Sequence, residues 1–268
     1  MQTTGKVFLV GAGPGDPGLL TVKAMELLRT ADVVVYDRLV SPSILELIPE
    51  GVIRTSVGKA SGHHCVPQDQ INQLLVELAL TESSTQRKIV RLKGGDPFIF
   101  GRGSEETLFL HEHGISFEVV PGVTAAAACS AYAGIPLTHR GLSHGVRFVT
   151  GHFLENKRLK LDWRALADPD STIVIYMGLS SLSRICTALA NQGMDPATPA
   201  VAIQDGTTDR QRRVFGDLTT LASRVTNSRL SAPVIVIIGR TVGLAGQLDW
   251  FVMDKEHVSN EMAGASNF

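Results

Sequence analysis

Short apolar runs recur along the chain, and between them the apolar positions fall three and four apart. In the first half, runs rich in β-branched residues occupy 6–10 (KVFLV), 33–36 (VVVY), 53–57 (IRTSV), 89–92 (IVRL) and 116–120 (SFEVV), and each reads as a strand. The intervening segments have helical spacing. Ala24, Leu27, Leu28 and Ala31 share one face behind a Thr21 cap, and Ile71, Leu74, Leu75 and Leu78 share another in a helix whose first turn contains Pro67. Ser104 followed by Glu105 and Glu106 places acids at the positive end of a third helix, which Gly114 ends. Strands alternating with helices predict parallel α/β units.

Pro121-Gly122 is the strongest turn signal near the middle, and Thr124 after it opens an alanine-rich helix over 125–133, ended by Gly134. A domain boundary is expected there, separating residues 1–121 from 122–251. In the second part, strands are predicted at 146–150, 172–176, 199–203, 212–216 and 233–238, with helices near 181–192 and 218–226. No helix fits between 199–203 and 212–216, so that pair is antiparallel. The expected fold class is α/β: two α/β domains, each with a mixed, roughly five-stranded sheet flanked by helices. The tail at 252–268 lacks hydrophobic periodicity and is expected to be mobile. Thr81 to Gln86 (TESSTQ) reads as a solvated loop extension away from any chemistry.

Composition narrows the class without naming it. With 44% hydrophobic and 19% charged residues the chain is globular, and 25 basic against 26 acidic side chains (net charge -1) give no field for nucleic acid or an anionic membrane. Cys65, Cys129 and Cys186 are odd in number and far apart, which fits a reducing cytoplasm better than a disulfide framework. The first apolar stretch, Val7 to Val10, is too short for a signal segment or a membrane span. His63, His64 and Cys65 have no second Cys/His pair at finger-like spacing, and His111 and His113 lie on different helix faces, so no metal is expected.

Candidate chemistry gathers where strands end. The first strand runs into a loop holding G-x-G-x-x-G as Gly13, Gly15 and Gly18, and Asp37 follows the next strand at dinucleotide-like spacing. That NAD-binding reading competes with an ordinary glycine turn, because Pro14 and Pro17 lack amide donors and Asp16 stands where a pyrophosphate would be repelled. Gly94-Gly95-Asp96-Pro97 follows a strand directly, at the edge where open α/β sheets bind ligands. There Asp96 fits a ligand hydroxyl or ammonium group, and it equally fits a turn that accepts local amides. Arg102, between Gly101 and Gly103, is free to reach an anion, and Glu105 at i, i+3 is placed to orient it. Lys59, Met177 and Asp205-Gly206-Thr207 end further strands. Taken singly, Lys59 fits a solvated surface and Met177 fits a core. His152 and the pair His139-Arg140 are weaker substrate-side candidates.

Together these segments resemble the tetrapyrrole methylase family. The carriers are VGAGPGDPGLLT (10–21), VVVYDRLV (33–40), VGK (57–59), HCVPQ (64–68), RLKGGDPFIFGRG (91–103), VVPGVTAA (119–126), SAYAGIPLTHR (130–140), VTGH (149–152), YMG (176–178) and VIIGR (236–240). The resemblance implies an active site in the cleft between two domains, a homodimer, and S-adenosyl-L-methionine as methyl donor. It further implies transfer of two methyl groups to uroporphyrinogen III, giving precorrin-2 through a monomethylated precorrin-1. A later corrin-ring methylation is the nearest alternative within the family. Pro14, Gly94, Gly95, Asp96, Ile99, Thr124, Ala125, Met177 and Gly206 match donor-binding positions, and Asp37 and Lys59 match positions given acid and base roles. Eight carboxylates on the substrate call for arginines in the cleft. Arg102 is the best internal candidate for substrate contact or proton handling, with His152 and Arg140 behind it. The length leaves no room for the dehydrogenase and ferrochelatase module fused to some members, so precorrin-2 is the expected end product.

Overall fold

The computed structural model describes residues 4–58, 66–151 and 161–251. Its first sheet consists of β1 (Lys6–Gly11), β2 (Val33–Tyr36), β3 (Ile53–Ser56), β4 (Lys88–Lys93) and β5 (Phe117–Val120) in the order β3-β2-β4-β1-β5. Every pairing in it is parallel. The connections carry α1 (Val22–Thr30), α2 (Pro42–Leu45), α3 (Gln68–Leu80) and α4 (Gly103–Glu112).

Alternation along β1 explains why its sequence is uninterruptedly apolar. Phe8 and Val10 pack with Leu27, Leu28 and Ile44 on one face, while Val7 and Leu9 pack with Leu75 and Leu110 on the other. A strand covered on both faces has no solvent side to make polar. Thr21 caps α1 as expected, its hydroxyl accepting from the Ala24 amide at 3.2 Å.

The second sheet consists of β6 (Gly145–Thr150), β7 (Ser171–Tyr176), β8 (Pro199–Gln204), β9 (Arg212–Asp217) and β10 (Val234–Ile238), in the order β6-β7-β10-β8-β9. Only β6 and β7 are parallel; β10 runs antiparallel to β7 and β8, and β9 antiparallel to β8. Around it lie α5 (Ala125–Tyr132), α6 (Trp163–Leu166), α7 (Leu182–Asn191), α8 (Leu221–Asn227) and α9 (Ala245–Leu248). Ile173 and Ile175 pack with Leu182, Leu189 and Leu221 on one face. Val174 and Ile203 pack with Ala126 and Cys129 of α5 on the other.

Because the first sheet is wholly parallel, the carboxyl ends of its strands share one edge, and the loops there face the end of the second sheet where β7 and β8 finish. Tyr132 of α5 donates its hydroxyl to Asp16 at 2.6 Å, and the Asp16 amide donates to the Thr207 hydroxyl at 3.2 Å, so the loop after β1 is tied to the loop after β8. No helix among the described residues is long and apolar enough to cross a membrane. The 252–268 tail lies outside the described residues.

Candidate active site

The floor of the cleft is backbone. Gly11 ends β1, Gly94 and Gly95 follow β4, and Gly122 follows β5. A Cβ on Gly11 would stand 2.5 Å from Gly122 Cα and 2.7 Å from the Gly95 carbonyl oxygen, distances no side chain tolerates. Gly13 and Gly95 exchange amide hydrogen bonds of 3.1 and 2.7 Å across the loops. The Asp96 carboxylate holds this arrangement, accepting from the Phe98 amide at 2.8 Å and from the Gly122 amide at 3.1 Å.

These bonds also dispose of a phosphate cradle. The amides of Gly13, Asp16 and Gly18 donate to the Gly95 carbonyl, the Thr207 hydroxyl and the Asp16 carboxylate respectively. A pyrophosphate would find these donors engaged, with a carboxylate beside them.

One wall is the segment from Pro97 to Gly103. It folds back on itself so tightly that a Cβ on Gly101 would lie 2.7 Å from the Pro97 carbonyl oxygen. That turn leaves Phe98, Ile99 and Phe100 exposed. It also sets Arg102 at the start of α4 in the left-handed region, with φ of 60°. Its guanidinium makes a two-pronged contact with Glu105, Nε to Oε1 at 2.9 Å and Nη2 to Oε2 at 2.6 Å. The hydrogen bond to Glu105 raises Arg102 above its ordinary range, and the same bond lowers Glu105. Arg102 is thus a fixed, exposed cation at the head of α4, chemically suited to an anion and unsuited to accepting a proton.

The facing wall comes from the second sheet and α5. Tyr176 at the end of β7 sends its hydroxyl to the start of α5, where it lies 2.5 Å from the Thr124 hydroxyl and accepts from the Ala126 amide at 3.0 Å. The Thr124 side chain therefore caps nothing itself; the cap arrives from another strand. The Tyr176 ring stands 4.8 Å from that of Phe100, joining the two walls. Burial raises the Tyr176 hydroxyl above its ordinary value. Met177 is half exposed at 50%, so its side chain is not part of a core. A Cβ on Gly206 would collide with Cys129 Sγ, which fixes a bare backbone there.

Backbone strain marks the same region. Phe100, Arg102, Met177, Asp205 and Thr207 have φ between 46° and 70°, a region costly for residues with a side chain. Three segments contribute them, the 97–103 turn and the loops after β7 and β8, all in the two walls; a sixth such residue, Arg229, lies between α8 and β10.

Asp37 follows β2 on the same edge. Its Oδ1 accepts from the Leu39 amide at 3.0 Å, and its Oδ2 lies 3.7 Å from Arg91 Nη2. Behind it is a buried charge cluster that the sequence reading missed. Arg91 and Lys93 stand two apart on β4 and so point to one face, where both meet Glu106 Oε1, at 3.2 and 2.9 Å. Gln68 donates to the same oxygen at 3.1 Å. Burial lowers Lys93, and repulsion by Arg91 adds to this while Glu106 opposes it. The available signal was two cations at i, i+2 in an otherwise apolar central strand.

The structure does not bring Arg140 to this cleft within the chain. The turn around it bonds to the beginning of β7: the Thr172 hydroxyl donates to Ser143, and the His144 amide to the Asp170 carbonyl. That is the end of the sheet opposite Tyr176, roughly 16 Å of strand away. Arg140 there lines an open cavity of about 460 Å³ together with His139, His144, Asp170 and Arg240. Lys59, His152 and the His63-His64-Cys65 run lie outside the described residues. Among the described residues no three His, Cys, Asp or Glu side chains come together in a way that could hold a metal ion.

A glycine floor between two strained walls, with the Asp37 carboxylate 3.7 Å from Arg91 at its edge, makes the candidate small-molecule site between the two sheets. The profile of the tetrapyrrole (corrin/porphyrin) methylases matches residues 6–222, and the chain belongs to that family. A siroheme synthase from Pseudomonas fluorescens (strain Pf0-1) is 54% identical over 251 residues, which are 94% of this chain and 53% of that protein. The chain thus spans about half the length of the curated relatives it matches. The crystal structure of uroporphyrin-III C-methyl transferase from Thermus thermophilus, complexed with S-adenyl homocysteine, is 41% identical, with a TM-score of 0.75. That match covers 90% of this chain and 100% of the other. A cobalt precorrin-4 methyltransferase, a cobalamin biosynthetic enzyme, is 26% identical with a TM-score of 0.76, covering 88% of this chain and 95% of its own.

Proposed function

We propose that the chain transfers two methyl groups from S-adenosyl-L-methionine to uroporphyrinogen III, giving precorrin-2 and S-adenosylhomocysteine. The observation that carries this is the glycine floor between the two walls, in a chain 41% identical to a uroporphyrin-III C-methyl transferase along that enzyme's whole length. The donor fits the residues present. Gly94 and Gly95 leave a backbone edge free of side chains beside the Asp96 carboxylate, Gly206 is bare backbone packed on Cys129 in the loop after β8, and Thr124 and Ala125 stand at the start of α5. Pro14, Ile99 and Met177 complete that set, offering apolar contact to an adenosine and a thioether.

The donor supplies an electrophilic methyl group on a sulfonium. In each transfer the methyl–sulfur bond breaks as a carbon–carbon bond forms, sulfur keeps the electron pair, and the macrocycle loses a proton. The chain's residues then have two tasks: to align the two molecules and to accept that proton. We assign the acceptor role to Asp37, a carboxylate beside Arg91, and pair it with Lys59. Arg102, held by Glu105, binds a substrate carboxylate. Arg140 and His152 remain on the substrate side of the proposal, and the distance of Arg140 from its own cleft is the reason to test it in the assembled protein.

We further propose a homodimer in the cytoplasm, without metal, membrane or nucleic acid, and a division into units at residues 121 and 122. Light scattering reads the assembly, and limited proteolysis reads the division. The deciding experiment is the mass of the tetrapyrrole after oxygen-free incubation with uroporphyrinogen III and S-adenosyl-L-methionine. A product heavier by two methyl groups is expected. Unchanged substrate, with S-adenosylhomocysteine bound in a separate titration, would overturn the assignment in favour of a later corrin-ring methylation.

A further inference from the structure

The cluster behind Asp37 is costly as a piece of core. The side chains of Arg91, Lys93 and Glu106 are exposed by only 3%, 4% and 0%. Apolar residues of similar volume would fill that space as well or better, because three ions must be taken out of water to make the cluster. It is also incomplete by itself. Two cations share one carboxylate, and all three donors, with Gln68, converge on Glu106 Oε1. Glu106 Oε2 is buried and meets no donor among the described residues.

Among the described residues the charge balance closes at the cleft. The second carboxylate near Arg91 is Asp37, 3.7 Å from Nη2 and 26% exposed. Arg91 is therefore clamped from behind, Nε to Glu106 at 3.2 Å and Nη1 to the Leu92 carbonyl at 3.2 Å, and has one prong left pointing forward. A guanidinium is planar, so fixing two of its nitrogens fixes the third. Besides Arg91, the charged groups near Asp37 among the described residues are Lys93 on β4, Glu106 on α4 behind both, and Arg38 next to it in the chain.

We infer that Arg91, anchored by Glu106 and the Leu92 carbonyl, is the positioning residue for the Asp37 carboxylate, holding it at the edge of the cleft through a prong that no other group among the described residues engages. The inference rests on the acceptor role proposed for Asp37. It gives the buried cluster a function: Glu106 keeps the arginine where it is, Lys93 supplies the second cation of the balance, and the arginine keeps the Asp37 carboxylate in place at the edge of a site that must take up protons.

The test compares the acidic limb of the kcat-against-pH profile in the parent, in Arg91→Met, and in Arg91→Gln. Arg91→Met leaves Glu106 paired with Lys93 and Gln68, and Arg91→Gln keeps a neutral donor facing Glu106 if loss of the guanidinium impairs folding. Removing a cation about 4 Å from a carboxylate makes the ionised form harder to keep, so both variants should carry the limb to higher pH by about one unit. S-adenosylhomocysteine affinity should stay within about threefold, since the donor contacts are elsewhere. Arg91→Lys should return the limb at least halfway. A purely structural cluster would lower thermal stability and leave the limb in place, and that result overturns the inference. Asp37→Asn separates the two levels: if it is inactive while the limb of Arg91→Met is unmoved, the positioning role alone falls. If Asp37→Asn keeps its activity, the acceptor role falls and the inference falls with it.

Discussion

Tyr176→Phe removes one oxygen atom and tests how the two walls are joined. The hydroxyl accepts from the Ala126 amide at 3.0 Å and lies 2.5 Å from the Thr124 hydroxyl. Ala126 has no exposed surface, so its amide cannot turn to water once the partner is gone. Leaving such a donor unsatisfied costs about 1–3 kcal/mol, and losing the Thr124 contact adds about 1 kcal/mol. The ring contacts with Phe100 and Phe148 survive the change, which confines the effect to the hydroxyl. A total of about 2–4 kcal/mol in a chain of this size corresponds to a fall in Tm of about 4–16 °C. Differential scanning calorimetry reads that directly. Because Thr124 and Ala125 begin the helix that loses its cap, S-adenosylhomocysteine affinity by titration calorimetry should fall by several-fold as well. A Tm within 2 °C of the parent, with unchanged affinity, would refute the claim that this hydroxyl caps α5 across the cleft.

Two further changes probe other contacts. Gly206→Ala drives a methyl group into Cys129 Sγ and should destabilise by about 1–3 kcal/mol, while adding Cys129→Ala should recover part of the loss; urea midpoints of both variants measure it. Asp217 accepts from the Thr219 and Thr220 hydroxyls and amides, foremost the Thr219 hydroxyl, and is held down at about 2. Its contribution is present above its ordinary value of 3.8 and disappears as pH falls through about 2. Asp217→Asn should therefore be less stable than the parent at pH 6, with the gap narrowing towards pH 2, as urea melts at several pH values would record.

The strands were legible because burial on both faces forces the sequence into unbroken apolar runs. All ten predicted runs correspond to observed strands with ends shifted by one residue at most. The antiparallel pair at 199 and 212 followed from a connection too short for a helix, and it is β8 with β9. That β10 inserts between β7 and β8 could not be read, because nothing local in Val234 to Ile238 records which neighbours a strand takes. In the site, the glycines announced the floor, and Arg102 with Glu105 followed from helical spacing. Tyr176 did not, since a cap supplied from fifty residues away leaves no trace beside the helix it caps. Arg140 shows the limit of locality: a basic residue in a recognisable segment carries no mark of which end of a sheet it reaches. The Arg91 and Lys93 alternation was visible, and only the position of Glu106 gives it meaning.

The contact of Gly11, Gly95 and Gly122 bears on how this scaffold changes its substrate. A floor made of main chain keeps the same backbone whatever sequence builds it, and at Gly11 and Gly122 it rejects every side chain larger than hydrogen. Selection for a new macrocycle therefore has no purchase on that surface, and a library randomised there would return only glycine. Under the proposed function, variation that redirects methylation to another ring position has to enter through wall side chains that the proposed donor set does not use, such as Phe98, Phe100 and Arg102.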